Sequence, residues 1–315
     1  MGHSQQLLCE SGELYDFLHK NGLASAPLEA LPMDASKRHY YRVQGENKLV
    51  MVCPPCQKPE QFINVSAFLK TIGLNAPCVL AKENDFYLIE DFGQNTYRKA
   101  MGKTPPKELY TLATDVLIHL KERVREKPSF VPVYDMQMFL NEAAIFPEWY
   151  KGIPAHLPCY LGIWKDLLST LEVPECVILR DYHIDNLFYL PAFQGLKACG
   201  LIDFQDAVFG PVGYDLVSLL FDARTDVPQN LVDFLMDRYI TTFPAAKQSA
   251  LERACTILNM HRQLRILGVF SRLSQRDGKH HYLQYVPRIL TYVRTLFKNP
   301  LFKDLKRWCD AKGGF

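Results

Sequence analysis

The sequence predicts an α+β fold in which a small lobe built on an antiparallel sheet precedes a larger, mostly helical lobe. Before Asp91, apolar residues alternate with polar ones in several short runs, whereas after Lys103 they recur at helical spacing. The chain has 315 residues, of which 48% are hydrophobic, so it is long enough to build a core in each lobe. We therefore assign residues 1–91 to the small lobe and residues 92–315 to the larger one.

The small lobe is predicted to hold a leading helix, a hairpin, a second helix and two further strands. Tyr41 and Val43 alternate before a turn at residues 44–47, and residues 49–52 form the second strand of the hairpin. The remaining elements are a helix at 13–21, a helix at 60–72 that ends at Gly73, and strands at 77–80 and 86–89.

The larger lobe is predicted to be helical on both sides of one central stretch. Apolar stripes at helical spacing predict helices at 109–124, 136–146, 160–171, 214–221, 231–243, 250–270 and 288–298, with a break at 271–287. No fixed-period repeat is found, which excludes a solenoid.

Composition excludes several classes of function. The net charge of +2 is too small to indicate nucleic-acid binding, and no run reaches the ~18 apolar residues that a membrane span needs. The first ten residues lack the pattern of a secretory signal, and nine scattered cysteines are typical of a reducing compartment. Cys53 and Cys56 have no second pair with which to form a zinc site. We expect a cytoplasmic protein without membrane or nucleic-acid partners, either a monomer or a weak dimer.

The central stretch, residues 177–220, carries the candidate chemistry. Asp181 follows the apolar run 177–179, Asn186 comes five residues later, and Asp203 ends a second apolar run. Residues 187–190 and 196–202 flank a polar turn and are predicted to form a hairpin. Because a hairpin brings its two ends together, Asn186 and Asp203 can face the same point, one short loop away from Asp181.

These three residue types are the ones that phosphoryl transfer from ATP requires. An Asp accepts the proton of the attacking hydroxyl, while an Asn and a second Asp hold Mg²⁺ over the phosphates. Mg²⁺ prefers oxygen ligands and takes only one or two carboxylates from a protein. We therefore assign Asp181 as the base and Asn186 and Asp203 as metal ligands. The alternative is that these residues only form turns and caps, where Asp and Asn are common.

The same residues carry a family resemblance. The D-x-x-x-x-N spacing followed by I-D-F resembles the catalytic loop and metal-binding Asp of protein kinases and of the aminoglycoside phosphotransferase family. The strings RDYHIDNL and GLIDFQDAVFGPVGYDLVSLL are most similar to the branch that phosphorylates N-acetylmuramate and N-acetylglucosamine at the anomeric hydroxyl. The resemblance implies a bilobal kinase-like fold, ATP and Mg²⁺, and a small sugar substrate.

The resemblance also assigns the nucleotide-binding residues. Ser36 and Arg38 are expected to contact the phosphates, because residues 34–38 stand where kinases place a glycine-rich loop; a solvated basic turn is the alternative. The interlobe hinge, which would contact adenine, falls at Glu90, Asp91 and Phe92, unless these residues are simply an acidic turn. Two departures are that Met51 replaces the usual small-lobe Lys and Leu179 replaces a loop His. Arg38 or Arg42 could supply the missing charge.

On the substrate side, the resemblance points to Glu142, Trp149 and His183 as sugar contacts, with core packing as the alternative for the first two. Asp215 is expected to be buried and to hydrogen-bond the catalytic loop, because a buried carboxylate without partners would cost ~1–3 kcal/mol.

Two rival functions remain on the sequence alone. One is a kinase for an amino alcohol or an aminoglycoside, which a basic stretch at 261–298, opposed within the stretch only by Asp277, disfavours because such substrates are cationic. Most of these basic residues could equally form a solvated face. The other rival is a catalytically weak kinase-like binding module, which the presence of Asp181, Asn186 and Asp203 disfavours.

Overall fold

The computed structural model describes residues 12–32, 38–57, 59–153 and 156–314. The chain divides into two compact units. The first, here called the sheet unit, comprises Met1–Val116 and Ile184–Asp206. The second, here called the helical unit, comprises Leu117–His183 and Ala207–Phe315. The predicted lobe boundary at Asp91 stays a prediction.

The sheet unit is built on a five-stranded antiparallel sheet with the strand order β1-β2-β3-β5-β4. Its strands are β1 (Leu28–Ala30), β2 (His39–Val43), β3 (Lys48–Val52), β4 (Val79–Glu83) and β5 (Phe86–Glu90). The leading helix α1 (Gly12–Lys20) buries Leu14, Phe17 and Leu18 in one apolar cluster with Val43 and Val50 of the sheet. These three residues lie on one buried face of α1, which accounts for the helical spacing from which this helix was predicted.

The second helix of the sheet unit, α2 (Pro59–Thr71), leads into the segment that supports the later hairpin of the same unit. This hairpin consists of β7 (Leu187–Tyr189) and β8 (Cys199–Leu201), which pair antiparallel with Leu187 opposite Leu201. Asn75 donates its side-chain N–H to the carbonyl of Lys197 at 2.9 Å, and its own carbonyl accepts the N–H of Leu201 at 2.8 Å. The hairpin is therefore fixed to the backbone that follows α2.

The helical unit contains one long helix and two short strands. Its strands, β6 (Glu175–Ile178) and β9 (Val208–Pro211), pair antiparallel. The remaining helices of the described chain are α3 (Tyr97–Ala100), α4 (Pro106–Arg123), α5 (Met136–Ile145), α6 (Leu157–Ser169), α7 (Tyr214–Leu220), α8 (Gln229–Ile240), α9 (Ala245–Asp277), α10 (Val286–Leu296) and α11 (Lys303–Ala311). Of these, α3 lies in the sheet unit and α4 contains the boundary between the two units.

The long helix α9 packs closely against the end of α5. After Ile145, the chain continues as a single π-helical turn over Phe146–Tyr150. A Cβ atom added at Gly268 of α9 would lie 2.5 Å from the carbonyl oxygen of Ile145, so only glycine allows this approach.

The predicted fold class, α+β with an antiparallel sheet and a mostly helical part, agrees with these elements, and two local predictions are wrong. The helix predicted to end at Phe270 continues to Asp277, where Gly278 adopts φ +69° and terminates it. Burial of Leu273 explains why the basic segment remains helical. The second hairpin strand begins only at Cys199, because Gly195–Ala198 forms a 3-10 turn. Among the described residues, no helix combines the length and apolar content needed to cross a bilayer.

Candidate active site

The loop that carries Asp181 is fixed within the helical unit by a buried carboxylate. The N–H groups of Leu179 and Arg180 donate to the two carboxylate oxygens of Asp215, at 2.6 Å and 2.8 Å. Arg180 has φ +71°, a left-handed conformation that is uncommon for residues other than glycine. Asp215 thus hydrogen-bonds the backbone of this loop, and its structural role in the proposed site stays a prediction.

Asp215 is itself electrostatically unusual. Burial raises its pKa to about 7 from an ordinary value of 3.8, although the two N–H donors and Arg262 act in the opposite direction. The negative charge of nearby Asp181 raises the pKa further. The group that holds the loop therefore changes its charge near neutral pH.

The two predicted metal ligands lie together in the sheet unit. Asn186 Nδ2 is 3.2 Å from Asp203 Oδ2, and the N–H of Ile202 donates to the carbonyl of Asn186 at 3.2 Å. Asp203 adopts φ +61°, and the following Phe204 stacks on Phe62 of α2 with a centroid distance of 5.3 Å. Packing of the neighbouring ring therefore holds Asp203 in a conformation that it would otherwise rarely adopt.

Two further residues, which the sequence analysis did not single out, position this pair. Gln205 donates from Nε2 to Asp203 Oδ1 at 2.8 Å. Arg98 of α3 forms a salt bridge with Asp185, the neighbour of Asn186, and its Nη2 lies 2.8 Å from Asp185 Oδ2. Gln205 stands two residues after Asp203, and this proximity is the only signal in the sequence that could have found it.

The residues predicted to contact phosphate are only partly described. Ser36 lies outside the described residues. Arg38 is 5% exposed and donates from Nη2 to the carbonyl of Gln57 at 2.6 Å. Burial raises the pKa of Tyr40, Arg38 lowers it, and the charge of Asp203 raises it, so Arg38 and Asp203 each lie within electrostatic range of Tyr40.

The alternative source of positive charge, Arg42, is engaged with the predicted hinge. Its Nε lies 2.5 Å from Asp91 Oδ2, and its Nη2 donates to the carbonyl of Gly93 at 2.9 Å. Arg42 is therefore neutralised by Asp91. Met51, at the position where most kinases have a Lys, is fully buried.

The hinge backbone is also partly engaged. The N–H of Glu90 donates to the carbonyl of Cys78 at 2.9 Å, and that of Asp91 donates to the carbonyl of Asn47 at 3.0 Å. Phe92 packs against the hairpin, since a Cβ atom at Gly200 would come within 2.8 Å of its ring. Their contacts with adenine stay predictions.

The three predicted sugar contacts lie in the helical unit in different surroundings. Glu142 is buried and bonded to Tyr134, whose hydroxyl donates at 2.5 Å, and to two arginines. Trp149 is partly exposed in the π-helical turn, and its carbonyl accepts from Gln275 at 3.2 Å. His183 is buried, and burial together with Arg224 lowers its pKa. Their roles in substrate binding stay predictions.

The basic stretch does not form the uncompensated positive region that the sequence indicated. Arg265 pairs with Glu142 at 3.3 Å, Arg288 pairs with Asp226 at 2.5 Å, and Arg276 pairs with Asp277 at 2.7 Å. Arg262 is 3% exposed. The acidic partners Glu142 and Asp226 are distant in sequence, so a count of charges along the stretch could not find them.

Buried polar groups that the sequence analysis missed lie beside His183. Asp222 is fully buried, pairs through Oδ1 with Arg224 at 3.1 Å, and places a carboxylate oxygen within 4.8 Å of a His183 ring nitrogen. Within the part of the chain that is described, Asp222 Oδ2 and Arg262 Nη1 have no hydrogen-bond partner. The sequence signal was an Asp two residues after the apolar helix α7, which is too common to single out.

Comparisons with known proteins identify the family. A sequence model of the phosphotransferase enzyme family matches residues 27–249. A relative from Pseudomonas aeruginosa named N-acetylmuramate/N-acetylglucosamine kinase is 34% identical over 85% of this chain and 84% of its own. A relative of the same name from Caulobacter vibrioides is 30% identical over 93% of this chain and 94% of its own.

Solved structures show the same fold at low identity. Aminoglycoside phosphotransferase APH(2'')-Ib, in its ADP-bound form, superposes with a TM-score of 0.62 at 16% identity and covers 91% of this chain and 99% of its own. Plasmodium vivax ethanolamine kinase gives a TM-score of 0.66 at 12% identity, covering 96% of this chain and 89% of its own. The predicted kinase-like fold is confirmed, and the chain belongs to the phosphotransferase enzyme family.

Proposed function

We propose that this protein is an ATP-dependent sugar kinase that phosphorylates the anomeric hydroxyl of N-acetylmuramate or N-acetylglucosamine. The observation that carries the proposal is the pairing of Asn186 with Asp203 at the open end of a hairpin, five residues after Asp181 along the chain. The names of the relatives, which share 30–34% identity over most of the chain, support the choice of substrate.

The proposed chemistry gives each residue one task. Asp181 accepts the proton of the attacking hydroxyl, and Arg38 with Ser36 binds the phosphates. Asn186 and Asp203 would hold Mg²⁺, which fits the site because both side chains end in hard oxygen donors and Asp203 is exposed. When bound, Mg²⁺ offsets negative charge on the phosphates. Positioning and electrostatics would then account for most of the rate enhancement.

The backbone hydrogen bonds of the hinge limit which of its residues can donate to the adenine. Because the N–H groups of Glu90 and Asp91 already donate within the sheet unit, we assign the donor role to Phe92. The side chain of Asp91, bound to Arg42 and to the N–H of Gly93 at 2.8 Å, would keep this segment rigid.

The rival kinases are weakly supported. The aminoglycoside and ethanolamine kinases among the solved structures share no more than 16% identity with this chain, so they speak only for the fold. We also place the protein in the cytoplasm, since the eight cysteines in the described part of the chain are free of disulfides.

The decisive experiment is an ADP-release assay with a substrate panel. N-acetylmuramate, N-acetylglucosamine, ethanolamine, choline and an aminoglycoside would each be tested with ATP and Mg²⁺. The methyl glycoside of N-acetylglucosamine is the matched control, because its anomeric hydroxyl is blocked and the rest of the sugar is retained. We expect turnover with the free amino sugars and none with the glycoside. Turnover of the glycoside would exclude the anomeric position, and no turnover with any acceptor, despite ATP binding, would favour a binding module.

A further inference from the structure

The residue before the proposed base, Arg180, is held at every polar group of its backbone. Its N–H donates to Asp215 at 2.8 Å, its carbonyl accepts from Ser218 Oγ at 3.3 Å, and the preceding N–H of Leu179 donates to the same Asp215. A left-handed conformation of a non-glycine residue costs free energy and persists only where the surroundings enforce it. The conformation of this loop therefore depends on its partners.

The side chain of Arg180 extends into a buried group that we call the Glu142 cluster, consisting of Tyr134, Glu142, Arg180, Tyr214 and Arg265. Glu142 Oε1 pairs with Arg180, and Glu142 Oε2 accepts from the Tyr134 hydroxyl at 2.5 Å and pairs with Arg265 Nε at 3.3 Å. Arg265 also donates to the Tyr214 hydroxyl at 3.1 Å. The Arg180 guanidinium lies 5.6 Å from the centroid of the Tyr134 ring. The helices α5, α7 and α9 are thereby joined to the loop.

Glu142 has the properties of a fixed internal anion. Both carboxylate oxygens have protein partners, and the residue is 8% exposed. Burial alone would raise the pKa of Glu142, but Arg265 and Arg180 outweigh it and the pKa lies below its usual value. A buried ion pair adds little net stability compared with an apolar replacement, so the fold itself gives no strong reason for a charged group here. Positioning of the loop supplies such a reason.

The side chain of Leu179 is buried and apolar, so it offers no hydrogen bond with which to hold the loop. Within the helical unit, Asp215 and Ser218 hold the backbone before Asp181, and the ion pair of Arg180 with Glu142 adds a second side-chain contact there. The carboxylate that holds Arg180 is supplied by α5, 38 residues away along the chain.

We propose that Glu142 is a positioning residue, which acts through Arg180 and together with Arg265 to set the conformation of the loop that carries Asp181. This inference rests on the proposed function, because it takes Asp181 as the base. It also gives Glu142 a role other than the direct sugar contact that the sequence predicted.

The test compares kinetic constants of four variants with the wild-type protein, using the preferred amino sugar and ATP. Glu142→Gln keeps the shape and removes the charge, Arg180→Met removes the guanidinium, and a third variant combines both. We expect each single change to lower kcat by about ten- to a hundredfold with the KM for ATP within about twofold. The double variant should lose no more than the worse single variant, because residues that act as a unit are not additive.

The fourth variant and a control separate positioning from folding. Arg180→Lys keeps the charge balance of the cluster but lacks the planar fork, so it should fold even if Glu142→Gln does not, and its kcat should still fall. Asp226→Asn removes the exposed acidic partner of Arg288, outside the cluster, and should leave all constants unchanged.

The outcomes distinguish this inference from the proposed function. If Asp181→Asn abolishes turnover while Arg180→Lys and a folded Glu142→Gln stay within about twofold of wild-type kcat, the cluster has no positioning role. If Glu142→Gln instead raises the KM for the sugar and leaves kcat unchanged, Glu142 contacts the substrate and the inference is wrong. If Asp181→Asn is fully active, the proposed function loses its base, and this inference fails with it.

Discussion

The hairpin that carries Asn186 and Asp203 and the loop that carries Asp181 hold their polar residues by different means. In the hairpin, the antiparallel pairing of Leu187 with Leu201 brings the two side chains within 3.2 Å of each other, and Asp203 remains exposed. In the loop, the conformation depends on buried charges, since Asp215 binds the two preceding N–H groups. Backbone register and contacts within the sheet unit position the first pair, whereas the loop needs buried partners from distant helices.

The loop can be tested by a substitution at the proposed base. Asp181→Asn removes the proton acceptor while keeping nearly the same shape, so turnover should fall by about 10²–10⁴-fold. The affinity for ATP, measured by calorimetry without the sugar, should remain within about twofold, because the change leaves the sheet unit intact. Wild-type turnover in a folded Asp181→Asn protein would remove this residue from the mechanism.

The hairpin can be tested by a substitution at the proposed metal ligand. Asp203→Asn removes the only carboxylate of the pair, so the Mg²⁺ concentration for half-maximal activity should rise by about ten- to a hundredfold or more. Gln205→Leu removes a 2.8 Å hydrogen bond to Asp203 and should raise this concentration less. Because Asp203 is exposed, its variant should unfold at nearly the wild-type temperature. An unchanged Mg²⁺ dependence in both variants would contradict the assignment.

This difference between the two sites also explains what the sequence could predict. The hairpin, the neighbouring strands and most helices follow from local periodicity and turn residues, and the pairing of Asn186 with Asp203 follows from the length of the hairpin. The partners of Arg180 do not, because Glu142 and Arg265 approach it only through tertiary packing. Charges on a buried helix face look the same in a sequence as charges on a solvated one.

The loop side has a pH signature of its own. Because the pKa of Asp215 is about 7 in the folded protein and 3.8 is the ordinary value for an Asp, the folded state binds this proton more tightly than the unfolded state. The contribution of Asp215 to stability should therefore fall as the pH rises from about 4 to about 7, by at most roughly 4 kcal/mol, and stay constant above that range.

Urea unfolding of the wild-type protein and of Asp215→Asn, at several pH values between about 5 and 8, measures this contribution. The free energy of unfolding of the wild type, relative to the variant, should decrease with pH. The same comparison with Asp226→Asn, whose carboxylate is exposed, should give a difference that does not decrease in this way. A pH-independent difference for Asp215→Asn would show that the carboxyl group titrates alike in the folded and unfolded states.

The stability of the hairpin should depend on packing and not on charge. Gly200 in β8 faces Phe92 and Leu190, and a Cβ atom there would lie 2.8 Å from the Phe92 ring and 2.9 Å from Leu190 Cδ1. Gly200→Ala should therefore cost about 1–3 kcal/mol of stability, and Phe92→Leu in the same protein should recover part of this loss. Gly162→Ala, at an exposed position of α6 with nothing within 4 Å, should instead stabilise by about 1 kcal/mol. Equal effects of the two glycine substitutions would mean that the contact between Phe92 and the hairpin is too loose to hold Asn186 and Asp203 in register.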